Sequence, residues 1–142
     1  RHVLAAFAAE GVDEARVLFH PVRGAHLPFY DQIDISLDTF PLTGGTTTVD
    51  SLWMGTPVIS LVGEAFYERL SYSILSNLGL ADLCAFDLAG YEAAALTLAR
   101  DYGGRAKLRA GLRQRMRDSA LGQSEAFAKA FYDLIASVAD RA

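Results

Sequence analysis

Between Asp34 and Val58 the chain reads D-I-S-L-D-T-F-P-L-T-G-G-T-T-T-V-D-S-L-W-M-G-T-P-V, and no other stretch narrows the possible folds as far. A short apolar segment with β-branched residues, residues 33–37, predicts a buried strand. Gly44 and Gly45 then remove side chains where the backbone turns, and a helix is expected over residues 46–54, stopped by Gly55. Pro57 launches a second apolar strand, residues 58–62. A strand, a glycine loop and a helix in this order aim free backbone N–H groups and the positive end of a helix dipole at one spot. In open α/β sheets that spot lies beyond the carboxyl ends of the strands, where nucleotides sit.

The helix opens on Thr46, Thr47, Thr48 and Val49, four β-branched residues that form helix poorly. Hydroxyls at a helix start cap it or bind an anion. Thr47 followed three residues later by Asp50 has the outline of a capping box with a shortened carboxylate. The two glycines and the surplus of hydroxyls point instead to phosphate oxygens. Trp53 and Met54, in the apolar turn before Gly55, read as core.

The rest of the chain alternates strand and helix. A helix is expected over residues 2–10, strands over 16–19 and 82–86, and a helix after Gly63-Glu64 with Tyr67, Leu70, Ile74, Leu75 and Leu78 on one face. Further helices are expected over residues 90–102, 105–120 and 124–138. This order predicts an α/β fold: a Rossmann-like parallel sheet with helices on both faces and a helical C-terminal tail, in one domain spanning residues 1–142. The helix at 105–120 carries a basic set around Leu108, Leu112 and Met116, which fits a solvated face or a surface for lipid or an acidic partner. The stripe Phe127, Phe131, Leu134, Ile135 and Val138 needs burial, against the sheet or against another domain of a parent protein.

With 51% hydrophobic residues in 142, the chain can bury a core. A formal net charge of −4 argues against a general grip on nucleic acid. No run approaches a membrane span. The lone Cys84 excludes an internal disulfide, fits a reducing, cytoplasmic setting and reads as a buried, inert thiol. The sequence opens Arg1-His2-Val3 without an initiator methionine, so a piece of a longer protein is expected. No Asp-x-Asp sequence and no cluster with metal-ligand spacing occurs, so no metal or other cofactor is expected.

The pattern Leu37-Asp38-Thr39, Gly44, Thr46-Thr47, Asp50, Leu52-Trp53-Met54-Gly55-Thr56-Pro57-Val58 resembles the catalytic region of O-linked N-acetylglucosamine transferases and their SPINDLY-like and bacterial relatives. The likeness continues through Gly63-Glu64, Arg69, Leu78-Gly79 and Tyr91-Glu92. It implies the second, nucleotide-binding half of a two-Rossmann GT-B glycosyltransferase, using a UDP-sugar (UDP-GlcNAc-like) donor and inverting the sugar. Gly44, Gly45, Thr46 and Thr47, with the N–H groups of residues 45–48, are then expected at the donor diphosphate. Asp50 is expected at the ribose, and His26 and Arg23 at the uracil and uridine.

Two departures from the family pattern bear on donor preference: Gly45 replaces a histidine and Phe29 an arginine. The resemblance places the catalytic groups, the phosphate-binding lysine and the acceptor site outside these residues. The implied partners are therefore an N-terminal GT-B half, TPR repeats of the same parent and a protein acceptor, with the 124–138 helix a candidate for packing on the missing half. A transferase with an Asn or non-protein acceptor, and a non-catalytic nucleotide-sugar-binding scaffold, remain open on these residues.

Overall fold

Three short parallel strands lie side by side in chain order: β1 (Ser36–Leu37), β2 (Val58–Leu61) and β3 (Cys84–Ala85). The computed structural model of the chain describes residues 2–21 and 24–139. Ser36 pairs with Val58 and Leu37 with Ile59, while Ser60 pairs with Cys84 and Leu61 with Ala85. Helix α1 (His2–Ala9) precedes the sheet, and α2 (Thr46–Trp53) and α3 (Leu70–Asn77) form the crossovers. Helices α4 (Leu88–Arg100), α5 (Tyr102–Asp118) and α6 (Ser124–Ala139) follow the last strand.

Every residue of β2 from Val58 to Ser60 is buried, as a central parallel strand covered on both faces must be. Val58 belongs to a cluster with Leu52 of α2, Leu75 and Leu78 of and beside α3, Leu80, and Leu112 and Met116 of α5. Ile59 points the other way, to the face where α4 packs on β2 and β3. The expected doubly covered parallel sheet is therefore present.

Several expected elements differ in extent. Residues 16–19 form no strand. The Asp13 carboxylate accepts the Ala15 N–H at 2.9 Å and starts a tight 3-10 turn over Glu14–Arg16, and the Val17 N–H is taken by the Glu14 carbonyl. Leu18 and Phe19 beyond it stay exposed. The strand expected over residues 33–37 keeps only its last two residues, because the Ile33 carbonyl faces the Thr56 hydroxyl and the Arg109 guanidinium instead of a neighbouring strand. Tyr67 is not on the helix that follows β2. It sits in a separate 3-10 turn, Phe66–Glu68, where the Glu68 carboxylate accepts the Ala65 N–H. Trp53 and Met54 are half-buried, Trp53 against the edge of the core.

The basic set of α5 is largely solvent-exposed around the buried Leu112 and Met116, as expected of a solvated face, but several of its arginines also reach neighbouring elements. Arg105 donates to the carbonyls of Leu98 and Ala99, Arg109 to those of Tyr30 and Ile33, Arg113 to that of Trp53, and Arg115 to that of Leu78. Arg113 and Arg117 also lie over the Trp53 ring, 5.2 and 5.3 Å from its centroid. Their guanidinium groups brace the ends of other elements.

Helix α6 is not packed on the sheet. Phe127, Phe131, Leu134, Ile135 and Val138 are all exposed, and the helix meets mainly the Ala120–Gly122 turn that leads into it.

Candidate functional site at the start of helix α2

Asp38, the first residue past β1, organises the loop that leads to α2. Its carboxylate is 9% exposed and accepts two hydrogen bonds, from the Gly44 N–H at 2.8 Å and from the Ser60 hydroxyl of β2 at 2.7 Å. Its carbonyl accepts from the Tyr91 phenol of α4 at 2.9 Å. Burial, reinforced by the Asp38 charge, raises the Tyr91 pKa above its ordinary value, so that phenol stays a donor. Further along the loop, the Thr43 hydroxyl donates to the Tyr67 carbonyl and Ser71 donates to the Gly44 carbonyl.

Gly44 is required by close approach. A Cβ there would stand 2.4 Å from Thr48 Oγ1 and 2.7 Å from Thr47 Oγ1. Since its N–H is already bonded to Asp38, Gly44 shapes the expected anion seat without offering it a free donor. Gly45 is the N-cap of α2 and supplies no side-chain cap. The first N–H groups of a helix have no partner within it, and those of Gly45, Thr46 and Thr47 have no other partner among the described residues.

The three threonines divide. Thr46 and Thr47 are exposed beside the uncapped helix end, whereas Thr48 is buried with its hydroxyl 2.8 Å from that of Ser71. The capping-box outline of Thr47 and Asp50 is not realised, because Thr47 lies inside the helix and Asp50 bonds elsewhere. Asp50 Oδ2 is 3.0 Å from His26 Nε2, joining two residues 24 apart in sequence. The His26 side chain is about half exposed and that of Asp50 less so.

Tyr30 completes this side. Its phenol reaches the Thr47 carbonyl at 3.4 Å, and its pKa is raised by burial and, less, by the Asp50 charge. A cleft of about 180 Å³ lies between β1 and α2, lined by Tyr30, Leu37, Asp38, Thr39, Thr47 and Thr48.

The structure thus brings together Gly44, Gly45, Thr46, Thr47, Asp50 and His26 at one end of α2. Arg23 lies outside the described residues. Phe29 is turned towards the His20 ring, with centroids 5.5 Å apart. Among the described residues, no group of three or more His, Cys, Asp or Glu is placed to hold a metal.

Chemically, unpartnered N–H groups, a helix dipole and two exposed hydroxyls are suited to a tetrahedral anion. A carboxylate one turn further in, paired with a half-exposed imidazole, has the chemistry to accept hydroxyl donors and to stack on a flat ligand. Asp38, Tyr30, Ser71 and Thr48 were not assigned a role from sequence. Thr48 carried a signal, since it lies three and four residues before the buried Ser51 and Leu52 and so shares their face.

The sequence profile of glycosyl transferase family 41 matches residues 1–131, and the chain belongs to that family. The chain is 36% identical over 122 residues to a Hordeum vulgare protein and 38% identical over 121 residues to an Arabidopsis thaliana protein. Each of these is described as a probable UDP-N-acetylglucosamine–peptide N-acetylglucosaminyltransferase SPINDLY. The matches cover 84% and 83% of this chain and 13% of each relative. A solved mutant O-GlcNAc transferase from Thermobaculum terrenum superimposes with a TM-score of 0.81 at 35% identity, covering 92% of this chain and 26% of that one. The chain therefore spans a minor part of the proteins it resembles.

Proposed function

We propose that this chain is the donor-binding half of a GT-B protein O-glycosyltransferase, holding UDP-N-acetylglucosamine while the sugar passes with inversion to a peptide hydroxyl. The observation that carries the reading is the uncapped start of α2, with Thr46 and Thr47 exposed beside it and the His26–Asp50 pair one turn away. That spacing matches a ligand with phosphates at one end and a nucleoside at the other. The names of the relatives supply the sugar and the acceptor class.

In this reading the N–H groups of Gly45, Thr46 and Thr47 and the two hydroxyls hold the diphosphate. Where other members place a histidine, Gly45 leaves a backbone donor open to the anion. Asp50 accepts from the ribose hydroxyls, and the His26 ring lies against the uracil, fixed by its contact to Asp50. As the sugar–oxygen bond breaks, negative charge grows on the departing diphosphate, and donors already in place stabilise it without reorganising. No metal ion is needed for that charge. The acceptor seat, the general base and a further cationic contact to the phosphates belong to another half of the parent protein, to which TPR repeats are fused.

Replacing both exposed threonines, Thr46→Val with Thr47→Val, removes two hydroxyl bonds to a charged group, each worth about 1.5–3 kcal/mol. Calorimetric titration with UDP should show affinity reduced by roughly tenfold or more. Equal affinities in the two proteins would sink the diphosphate assignment.

A further inference from the structure

The turn that carries His26, Leu27–Gln32, has no ladder to hold it in place. Two side chains from elsewhere in the chain grip its far end, Arg109 of helix α5 and Thr56. Arg109 Nη2 donates to the Tyr30 carbonyl and Nη1 to the Ile33 carbonyl, both at 3.0 Å, and the guanidinium lies 3.7 Å from the Asp31 carboxylate. The Thr56 hydroxyl reaches the same two carbonyls, at 3.1 and 3.3 Å. These carbonyls close a helical turn: that of Tyr30 also accepts the Ile33 N–H at 3.2 Å, and the negative end of such a turn attracts a cation.

The base of this fork is fixed as well. Gly55 has a positive φ of 87°, and a Cβ on it would stand 2.9 Å from the Arg109 carbonyl. Helix α5 therefore sits directly on the corner between α2 and β2, with Arg109 at the contact. A planar guanidinium can bridge two carbonyls in a set geometry, whereas an ammonium on a flexible stem holds them as a point charge.

We propose that Arg109 is a positioning residue for the nucleoside end of the donor site, setting His26 and Tyr30 against α2 without touching the ligand. This rests on the donor-site reading above. The diphosphate seat is built by the β1–α2 loop, which Arg109 does not contact, so the two ends of the ligand respond differently to its removal. Loss of the fork lets the turn shift, moving His26 from Asp50 and Tyr30 from Thr47, while the start of α2 stays as it is.

The test compares the full-length protein with its Arg109→Met, Arg109→Lys and Thr56→Val variants, titrated with UDP and with inorganic pyrophosphate. Thermal unfolding checks that each variant folds, and NMR follows the His26 imidazole without ligand. For Arg109→Met, UDP affinity should fall roughly five- to twentyfold while pyrophosphate affinity stays within about twofold, with the His26 resonances displaced. Lysine should restore part of the UDP affinity. Thr56→Val, which removes the other donor to the same carbonyls, should shift UDP in the same direction and serves if the methionine variant does not fold. Equal losses for both probes would make Arg109 a general structural brace and overturn the proposal, as would unchanged UDP affinity. A wild-type protein that binds neither probe refutes the donor site itself. In that case an undisplaced His26 signal in the variants would separately refute the positioning role.

Discussion

Removing the Asp38 carboxylate tests whether the glycine loop is a fixed scaffold. In Asp38→Ala, two donors lose their acceptor. The Ser60 hydroxyl is fully buried, so its loss falls near the middle of the ~1–3 kcal/mol range for an orphaned polar group. Gly44 is only half-buried, so water can replace part of its N–H bond, at about 1 kcal/mol. Relief from burying a carboxylate offsets a fraction of this. The net expectation is a loss of about 2–3 kcal/mol, or a fall in Tm of roughly 7–10 °C for a chain of this size.

Asp38→Asn is the sharper variant. Its amide oxygen still accepts from Gly44 and its NH2 faces Ser60, whose hydroxyl can turn and accept. Only the charge assistance is lost, about 1 kcal/mol. Differential scanning calorimetry orders the three proteins, and UDP titration asks whether the loop still presents its N–H groups. If Asp38→Ala unfolds within about 2 °C of wild type, roughly 0.6 kcal/mol against the ~2–3 kcal/mol expected, the carboxylate does not hold the loop and the reasoning fails.

Asp50→Asn should weaken UDP binding and shrink the preference for UDP over its 2′,3′-dideoxy analogue; an unchanged dideoxy penalty would mean that Asp50 does not read the ribose. UDP affinity should be alike with EDTA and with magnesium, and a loss of more than about tenfold, ~1.4 kcal/mol, under EDTA would reveal a metal requirement. Burial, and behind it the Asp38 charge, pushes the Cys84 thiol up from 9.0 to about 11. A folded-state pKa above the unfolded one gives stability that is fully present below pH 9.0 and lost as the pH rises through about 11. Urea unfolding across that window should therefore show wild type losing stability relative to Cys84→Val, and a constant difference would refute the shift.

What could be read in the sequence was whatever is decided locally. Gly55 and Pro57 punctuate the chain between α2 and β2, and the apolar run after Pro57 has no other place than a central strand. The glycines and threonines around the start of α2 pointed to a helix end without a side-chain cap, because backbone geometry alone makes one there. What stayed hidden depends on contacts between distant residues. Arg109 and the Tyr30 carbonyl it grips are 79 positions apart, and no periodicity in α5 separates a bracing arginine from a solvated one. The apolar run at 16–19 has the composition of a strand, but a strand exists only with a neighbour, and a turn nucleated by Asp13 competes for its first N–H groups. The His26–Asp50 contact joins two residues that the family resemblance had placed separately, at base and ribose.

The β1–α2 loop has its inward-facing polar atoms matched before any ligand arrives: Asp38 with Gly44 and Ser60, Thr43 with Tyr67, Thr48 with Ser71. No buried side-chain nitrogen or oxygen among the described residues lacks a partner. The conformational entropy of ordering this segment is therefore surrendered during folding, and the donors at the start of α2 have their directions set without a ligand. For the anion proposed here, the expectation is binding governed by desolvation and charge, with little movement of the loop backbone.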